Sequence, residues 1–296
     1  MIEHVQQYWH GQFNCITLEN RNTIYSNWIK QVGVENKVVL DGGAGTGIWG
    51  YHALMHGADH VIQVEWNEEQ IPFLENLRDN SEFKDKITII HGDLTRNFNY
   101  PEPDIIILEN IGERFYNENI HGTTKSLRDA WPNAKIIPDE GQLVISWIEG
   151  GDDQYLDYGY NNTENMKNYS GVINVEMPDT WIKEINKAYD HFTKTPTITQ
   201  IDPNHWPDYI SVDKSDIFFL GDPLFEFTST SPELAKFATL QFFVGIKNSM
   251  HSASYFGLNL SSTYASMRTD DTVKFKCHNL EMEPGNLYAE WKASWA

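Results

Sequence analysis

Basic residues and cysteines are both scarce in this sequence. Lys and Arg number 22 against 42 Asp and Glu, a formal net charge of −20 over 296 residues. A polyphosphate backbone is bound through clustered Lys and Arg, so this balance excludes nucleic acid as an expected substrate and favours cationic partners. Only Cys15 and Cys277 occur, far apart and in no metal-ligand spacing. That argues against a disulfide framework and against a zinc site, and it makes the cytoplasm the expected compartment. Also missing are an apolar N-terminal stretch behind a basic one and any run of about 18 apolar residues, so neither a secretion signal nor a membrane span is expected. Core material is ample: 40% of residues are hydrophobic, 13% aromatic and 22% charged, ordinary globular usage that excludes general disorder.

Leu18, Ile24, Tyr25, Trp28 and Ile29 recur at helical spacing before Gly33, predicting a leading helix over 17–32. Residues 37–40 read as a short buried strand ending at Asp41, and the glycine-rich run 42–47 leads into helical sequence over 48–56. A second strand over 60–64 ends at Glu65, a helical stretch follows over 67–77, and 87–90 and 105–108 are further buried strands with a helix over 123–131. The run 142–147 reads as one more strand at the close of this alternation. Alternating strands and helices predict a parallel sheet with crossover helices, an α/β Rossmann-like domain assigned to 1–137. Past Pro138, β-prone runs at 197–201, 216–220, 238–246, 255–260 and 272–277 predict a strand-rich, barrel-like domain over 138–296. The polar stretch 149–181, rich in Asp, Asn and Tyr, reads as a loop, a helical hairpin or a contact arm.

Chemistry concentrates at two strand ends. Asp41 is followed by Gly42, Gly43, Gly45 and Gly47, side-chain-free positions that let the backbone approach a nucleotide at the crevice of an open α/β sheet. The same stretch fits G-x-G-x-x-G through Gly45, Gly47 and Gly50, a dinucleotide pattern that is weak alone. Two carboxylates favour S-adenosylmethionine instead: Asp41 stands where the cationic amino-acid end of that cofactor is held, and Glu65 ends the next strand, where it accepts from ribose hydroxyls. Asp93 and Leu94, past the third strand, are candidates to flank the adenine. The second strand end opens a loop with Glu109, Glu113 and Glu118. Three carboxylates in one loop disfavour one another's ionisation unless a cation lies among them, and a guanidinium, planar and permanently charged, fits that need.

These residues together resemble the protein arginine methyltransferase family. Glu109 and Glu118 are nine positions apart with Gly112 three after the first, the spacing of that family's double-glutamate loop. Arg21 followed four residues later by Tyr25 resembles its leading helix, and 40–47, Val64-Glu65, Arg128-Asp129 and 136–139 resemble its further motifs. The resemblance implies S-adenosylmethionine as cofactor, held by Arg21 (on its carboxylate), Asp41, Gly43, Gly45, Gly47, Glu65, Asp93 and Leu94. It implies Glu109 and Glu118 as catalytic residues on an arginine guanidinium, in a protein or peptide or as free arginine, with no metal. It also implies a homodimer joined through an arm, for which 149–181 stands in the right place. Tyr8, Trp9 and Cys15 sit near positions that line the family's acceptor pocket, and Glu113 stands in place of a frequent Tyr. Asn110 and Ile111 depart from the aromatic and Met residues usual there, and the His of a Thr-His-Trp loop has no counterpart, His205-Trp206 falling too early. His10, His52 and His251 remain as acid–base candidates, and a non-catalytic scaffold of the same fold is the alternative of a different class.

Overall fold

The computed structural model describes residues 12, 15–16, 19–96, 100–111, 120–149, 166–168, 175–192, 197–199, 209–222, 226–230, 235–252, 265–266, 272–278 and 290–295. Helix α1 (Glu19–Val32) buries Tyr25, Trp28 and Ile29 completely, the residues that give its sequence a helical period. It stops at Gly33, whose left-handed φ of 79° returns its N–H to the Ile29 carbonyl at 3.0 Å. Strand β1 (Val38–Gly42), helix α2 (Ile48–Met55), strand β2 (His60–Glu65), helix α3 (Ile71–Asp79), strand β3 (Ile87–His91), strand β4 (Ile105–Leu108), helix α4 (Ile120–Ala130) and strand β5 (Lys135–Ile137) follow.

The five strands form one parallel sheet in the order β3-β2-β1-β4-β5. All four residues of β4 are buried, as a strand covered on both faces requires. Because the chain runs outward from β1 to β3 and then crosses to β4 on the other side, a crevice opens beyond the carboxyl ends of β1 and β4. Asp41 pairs in register with Gln63 on one side and Ile107 on the other, and Glu65 and Glu109 close the neighbouring strand ends.

Two antiparallel sheets follow among the described residues. Strands β6 (Glu140–Glu149), β9 (Tyr209–Lys214), β10 (Phe218–Phe219), β12 (Ala235–Ile246), β13 (Ser249–Ser252) and β14 (Ala265–Ser266) form a six-stranded sheet around β6 and β12. Strands β11 (Glu226–Thr230), β15 (Thr272–His278) and β16 (Glu290–Trp295) form a three-stranded one, and β7 (Met166–Asn168) pairs with β8 (Thr197–Thr199). The strand read at 142–147 is β6: it does not close the parallel sheet but pairs antiparallel with β12 from Glu140 to Glu149. The strand expected at 255–260 lies outside the described residues.

The chain divides into two units, Met1–Glu109 with Ser126–Pro138 and Asn168–Ile198, and Asn110–Lys125 with Asp139–Lys167 and Thr199–Ala296. A single cut at 137 does not reproduce this division, because helix α5 (Asp179–Phe192) folds with the parallel sheet. Its Trp181 is fully buried there, so the stretch read as too polar for core carries one of the largest core side chains. Asn76 on α3 donates to Glu184 at 3.1 Å and Thr180 to Glu82 at 2.9 Å, tying the helix to α3 and to the turn after it.

Gly47 and Gly43 both adopt left-handed backbone, φ 74° and 71°, but only Gly47 is crowded: a Cβ there would stand 2.6 Å from Gln63 Nε2, against nothing within 4 Å at Gly43. Both alanine variants carry the left-handed penalty of about 1–2 kcal/mol, and Gly47→Ala adds the displacement of a buried amide. Urea unfolding is therefore expected to rank Gly47→Ala below Gly43→Ala by at least about 1 kcal/mol; equal losses would contradict the packing of α2 on β2.

Candidate active site

Arg21 stands one helical turn before Tyr25 and so shares its face of α1. Tyr25 donates its hydroxyl proton to the Leu108 carbonyl at 2.7 Å, pinning α1 to the last residue of β4. The next residue in the chain is Glu109, and Arg21 Nη2 makes an ion pair with Glu109 Oε2, the two side chains being 3% and 23% exposed. Arg21 Nη1 donates to the Cys15 carbonyl at 2.5 Å, while its Nε is buried with no hydrogen-bond partner among the described residues. The guanidinium also lies 5.6 Å from the ring centroid of Trp49, which stacks on Tyr25 at 4.7 Å. Burial works against the Arg21 charge, yet Glu109 and its other neighbours hold its pKa above the ordinary value. Burial likewise pushes the Glu109 carboxyl up while Arg21 pulls it down, leaving it raised.

The glycine turn is fixed from several directions. Gly43 and Ala44 donate to the Val64 carbonyl at 2.9 and 3.0 Å, and Gly45 donates to Glu65 Oε2 at 2.8 Å. Gln70 donates to the Gly45 carbonyl at 2.7 Å and Trp181 to the Thr46 carbonyl at 2.9 Å. Glu65 Oε1 accepts from Asn67 N at 2.9 Å, so each oxygen of Glu65 takes one backbone N–H and keeps capacity for another donor. Asp41, only 2% exposed, accepts at Oδ2 from Gly50 N at 2.9 Å and from Gln63 Nε2 at 3.5 Å. A Cβ on Gly50 would lie 2.9 Å from that same oxygen, which is why glycine stands there.

Arg21, Asp41, Glu65 and Glu109 are thus brought to the same ends of β1, β2 and β4. Leu94 also reaches this edge, its side chain lying 2.9 Å from where a Cβ on Gly42 would be. Asp93 is turned to local work: Oδ1 accepts from Thr95 N at 2.8 Å and from Thr95 Oγ1 at 2.7 Å, an exposed Asx turn. Glu113, Glu118, Tyr8, Trp9, Gly112, His10 and His205-Trp206 lie outside the described residues. His52 is 1% exposed, between Ser26 Oγ at 2.9 Å and the Glu176 carbonyl at 3.3 Å, and burial drives its pKa down to about 4. A neutral, enclosed imidazole of that kind is a packing element. His251 is half-buried on β13, 3.4 Å from Ser249 Oγ. Among the described residues no cluster of His, Cys, Asp and Glu is arranged to hold a metal ion, and no helix is long and apolar enough to cross a membrane. Gln70, Trp49 and Trp181 were not legible as site residues in the sequence: Gln and Trp carry no motif, and only the fold brings them to the turn.

The sheet order, the glycine turn and the acidic ends of β1 and β2 define a Rossmann-like methyltransferase fold, here followed by antiparallel strands. No family model matches the chain. Its sequence is 36% identical over 144 residues to protein arginine N-methyltransferase 1 of Saccharomyces cerevisiae, 48% of this chain and 40% of that protein. It is 31% identical over 191 residues to protein arginine N-methyltransferase 1 of Dictyostelium discoideum, 64% of this chain and 50% of that protein. The matches thus span half or less of these relatives' own length. Among solved structures, the enzyme–prozyme heterotetrameric complex of Trypanosoma brucei PRMT1 with AdoHcy aligns with a TM-score of 0.55 at 21% identity, over 87% of this chain and 83% of that one. PRMT6 aligns with a TM-score of 0.56 at 15% identity, over 94% and 96%. The chain is a sequence relative of the protein arginine N-methyltransferases over about half its length, and it shares their fold over most of it.

Burial is the main cause that raises the Asp41 carboxyl to about 7; the Gly50 and Gln63 bonds lower it, and Glu65 and Glu109 raise it further. A carboxyl whose folded pKa exceeds its unfolded one stabilises the fold below the unfolded pKa, and that contribution is lost as pH rises through the folded pKa. Between pH 5 and 8, Asp41 is therefore expected to remove roughly 2–3 kcal/mol of stability. Asp41→Asn abolishes this dependence. Urea unfolding at the two pH values checks it; parallel pH slopes for wild type and variant would show that Asp41 is ionised throughout.

Proposed function

We propose that this chain is an S-adenosylmethionine-dependent N-methyltransferase acting on the guanidinium of arginine in a protein or peptide. The observation that carries the reading is the buried pairing of Glu109 with a guanidinium, that of Arg21, at the end of β4. Arg21 occupies Oε2 and leaves Oε1 to accept, on a side chain that is still partly open. Glu109 is thus a carboxylate already shaped for the planar donor set of an arginine, and the double-glutamate spacing supplies Glu118 as its partner.

The residues present fit the cofactor. Arg21 Nε is an orphaned buried donor suited to a carboxylate, Asp41 keeps Oδ1 for an ammonium, Glu65 keeps lone pairs for ribose hydroxyls, and space is open beside Gly43. S-adenosylmethionine supplies an electrophilic methyl on a sulfonium. The chain's own part is positioning: Glu109 and Glu118 orient one terminal guanidinium nitrogen, and their charge draws positive charge away from it, an aid that strengthens where water is excluded. In this reading the unit of the parallel sheet, α5 included, forms the cofactor-binding part and the antiparallel strands after Pro138 the substrate part, and the protein works as a cytoplasmic homodimer; the heterotetrameric Trypanosoma brucei assembly supports oligomerisation in this fold.

Glu109→Gln keeps size and a hydrogen-bond acceptor but removes the charge. It is expected to lower kcat by about 100-fold or more and, because Arg21 loses its counter-charge, to shift the cofactor Kd as well but by a much smaller factor than kcat. Steady-state kinetics with a titrated cofactor measures both. Full turnover in this variant would remove Glu109 from the reaction.

A further inference from the structure

Every carbonyl from Ala44 to Gly47 has an assigned donor. Ala44 accepts from Gly47 N at 2.6 Å, Gly45 from Gln70 Nε2, Thr46 from Trp181 Nε1 and Gly47 from Tyr51 N at 3.0 Å. Two of these donors belong to the turn itself and the helix it opens, and Gln70 comes just after β2. The fourth comes from far along the chain: the polypeptide leaves the antiparallel sheet after Glu149, adds α5 to the unit of the parallel sheet and returns to its own sheet at Tyr209. Trp181 is 0% exposed and Thr46 is 1% exposed, so that bond is shielded from bulk water at both ends.

We infer that Trp181 is a positioning residue for the cofactor turn, acting through the Thr46 carbonyl, so that α5 is part of the cofactor machinery although it offers no group to the cofactor. The peptide joining Thr46 to Gly47 is planar and trans, so its carbonyl and its N–H point in opposite directions. Trp181 holds the carbonyl end and Ala44 O the N–H end of that one plane. The plane cannot rotate without losing both bonds, and it sets the direction in which Gly47 opens α2. The chain on either side anchors the indole: Met177, just before α5, and Ile185 within it are buried, and Glu176 O meets His52 Nδ1 of α2. This inference rests on the cofactor reading given above.

Trp181→Phe keeps an aromatic ring and deletes the N–H. S-adenosylhomocysteine is expected to bind this variant about tenfold more weakly by calorimetry, about 1.4 kcal/mol, with the acceptor KM unchanged. Ile185→Ala removes packing from the same helix without touching the turn; it is expected to lower Tm and to leave the Kd of the folded protein within about twofold. Equal Kd values for wild type and Trp181→Phe, or weakening in both variants in proportion to their loss of Tm, would reduce Trp181 to a core residue. Should Trp181→Phe not fold, hydrogen–deuterium exchange on the wild type decides the matter: S-adenosylhomocysteine is expected to slow exchange in 176–190 as well as in 41–50. Protection confined to 41–50 would overturn the inference. A wild type that does not bind S-adenosylhomocysteine at all would instead overturn the cofactor reading, before any variant is compared.

Discussion

The turn from Gly43 to Gly47 is the constraint on which the rest of this structure depends. Its amides and carbonyls are held by the Val64 carbonyl, Glu65, Gln70 and Trp181, so the end of β2, the 3₁₀ turn Glu68–Gln70 that follows it and α5 all converge on five residues. Its three glycines have little intrinsic preference for one conformation, glycine losing more freedom on folding than any other residue. The fold compensates by surrounding this stretch with donors and acceptors that leave it a single arrangement. Gly50 then lets α2 lie against Asp41, and α2 in turn carries Trp49 to the Arg21 guanidinium.

Charge around the turn follows from that geometry. Asp41, Glu65 and Glu109 share one edge of the sheet with Arg21, and Asp41 feels both other carboxylates. The acidic composition thus has a local expression: one guanidinium faces three carboxyl groups, and ligands that bring a sulfonium, an ammonium or a guanidinium relieve the repulsion that burial intensifies. A cationic acceptor and a cationic cofactor suit such an edge better than a pyrophosphate would, which is the physical ground for preferring a methyl donor over a dinucleotide at the same glycine pattern.

The alternation of strands and helices was legible because each buried strand of the parallel sheet is a short apolar run with its own stop signal, as in 105–108. Asp41 and Glu65 could be picked out as candidates from their places at the ends of β1 and β2, and Arg21 through the resemblance carried by its spacing to Tyr25. The pairing of Arg21 with Glu109 was not: each had been given a separate ligand, and only the Tyr25 bond to Leu108 brings their backbones together. Nor was α5 legible, since it sits beside a run of Asp, Asn and Tyr, and its place is decided by where Trp181 can bury an indole and still satisfy its N–H. Asp93 shows the opposite case, a residue suited by position to a ligand whose side chain is taken up by its own turn.

The most direct test of the account is methyl transfer itself, read by mass spectrometry after incubating the protein with S-adenosylmethionine and either an arginine-containing peptide, free L-arginine or a lysine-containing peptide. The account predicts a mass increase on a guanidinium nitrogen of the arginine peptide and none on lysine. Transfer to free arginine alone would move the acceptor from protein to metabolite, and cofactor binding without transfer to any of the three would contradict the assignment of Glu109 to an arginine acceptor.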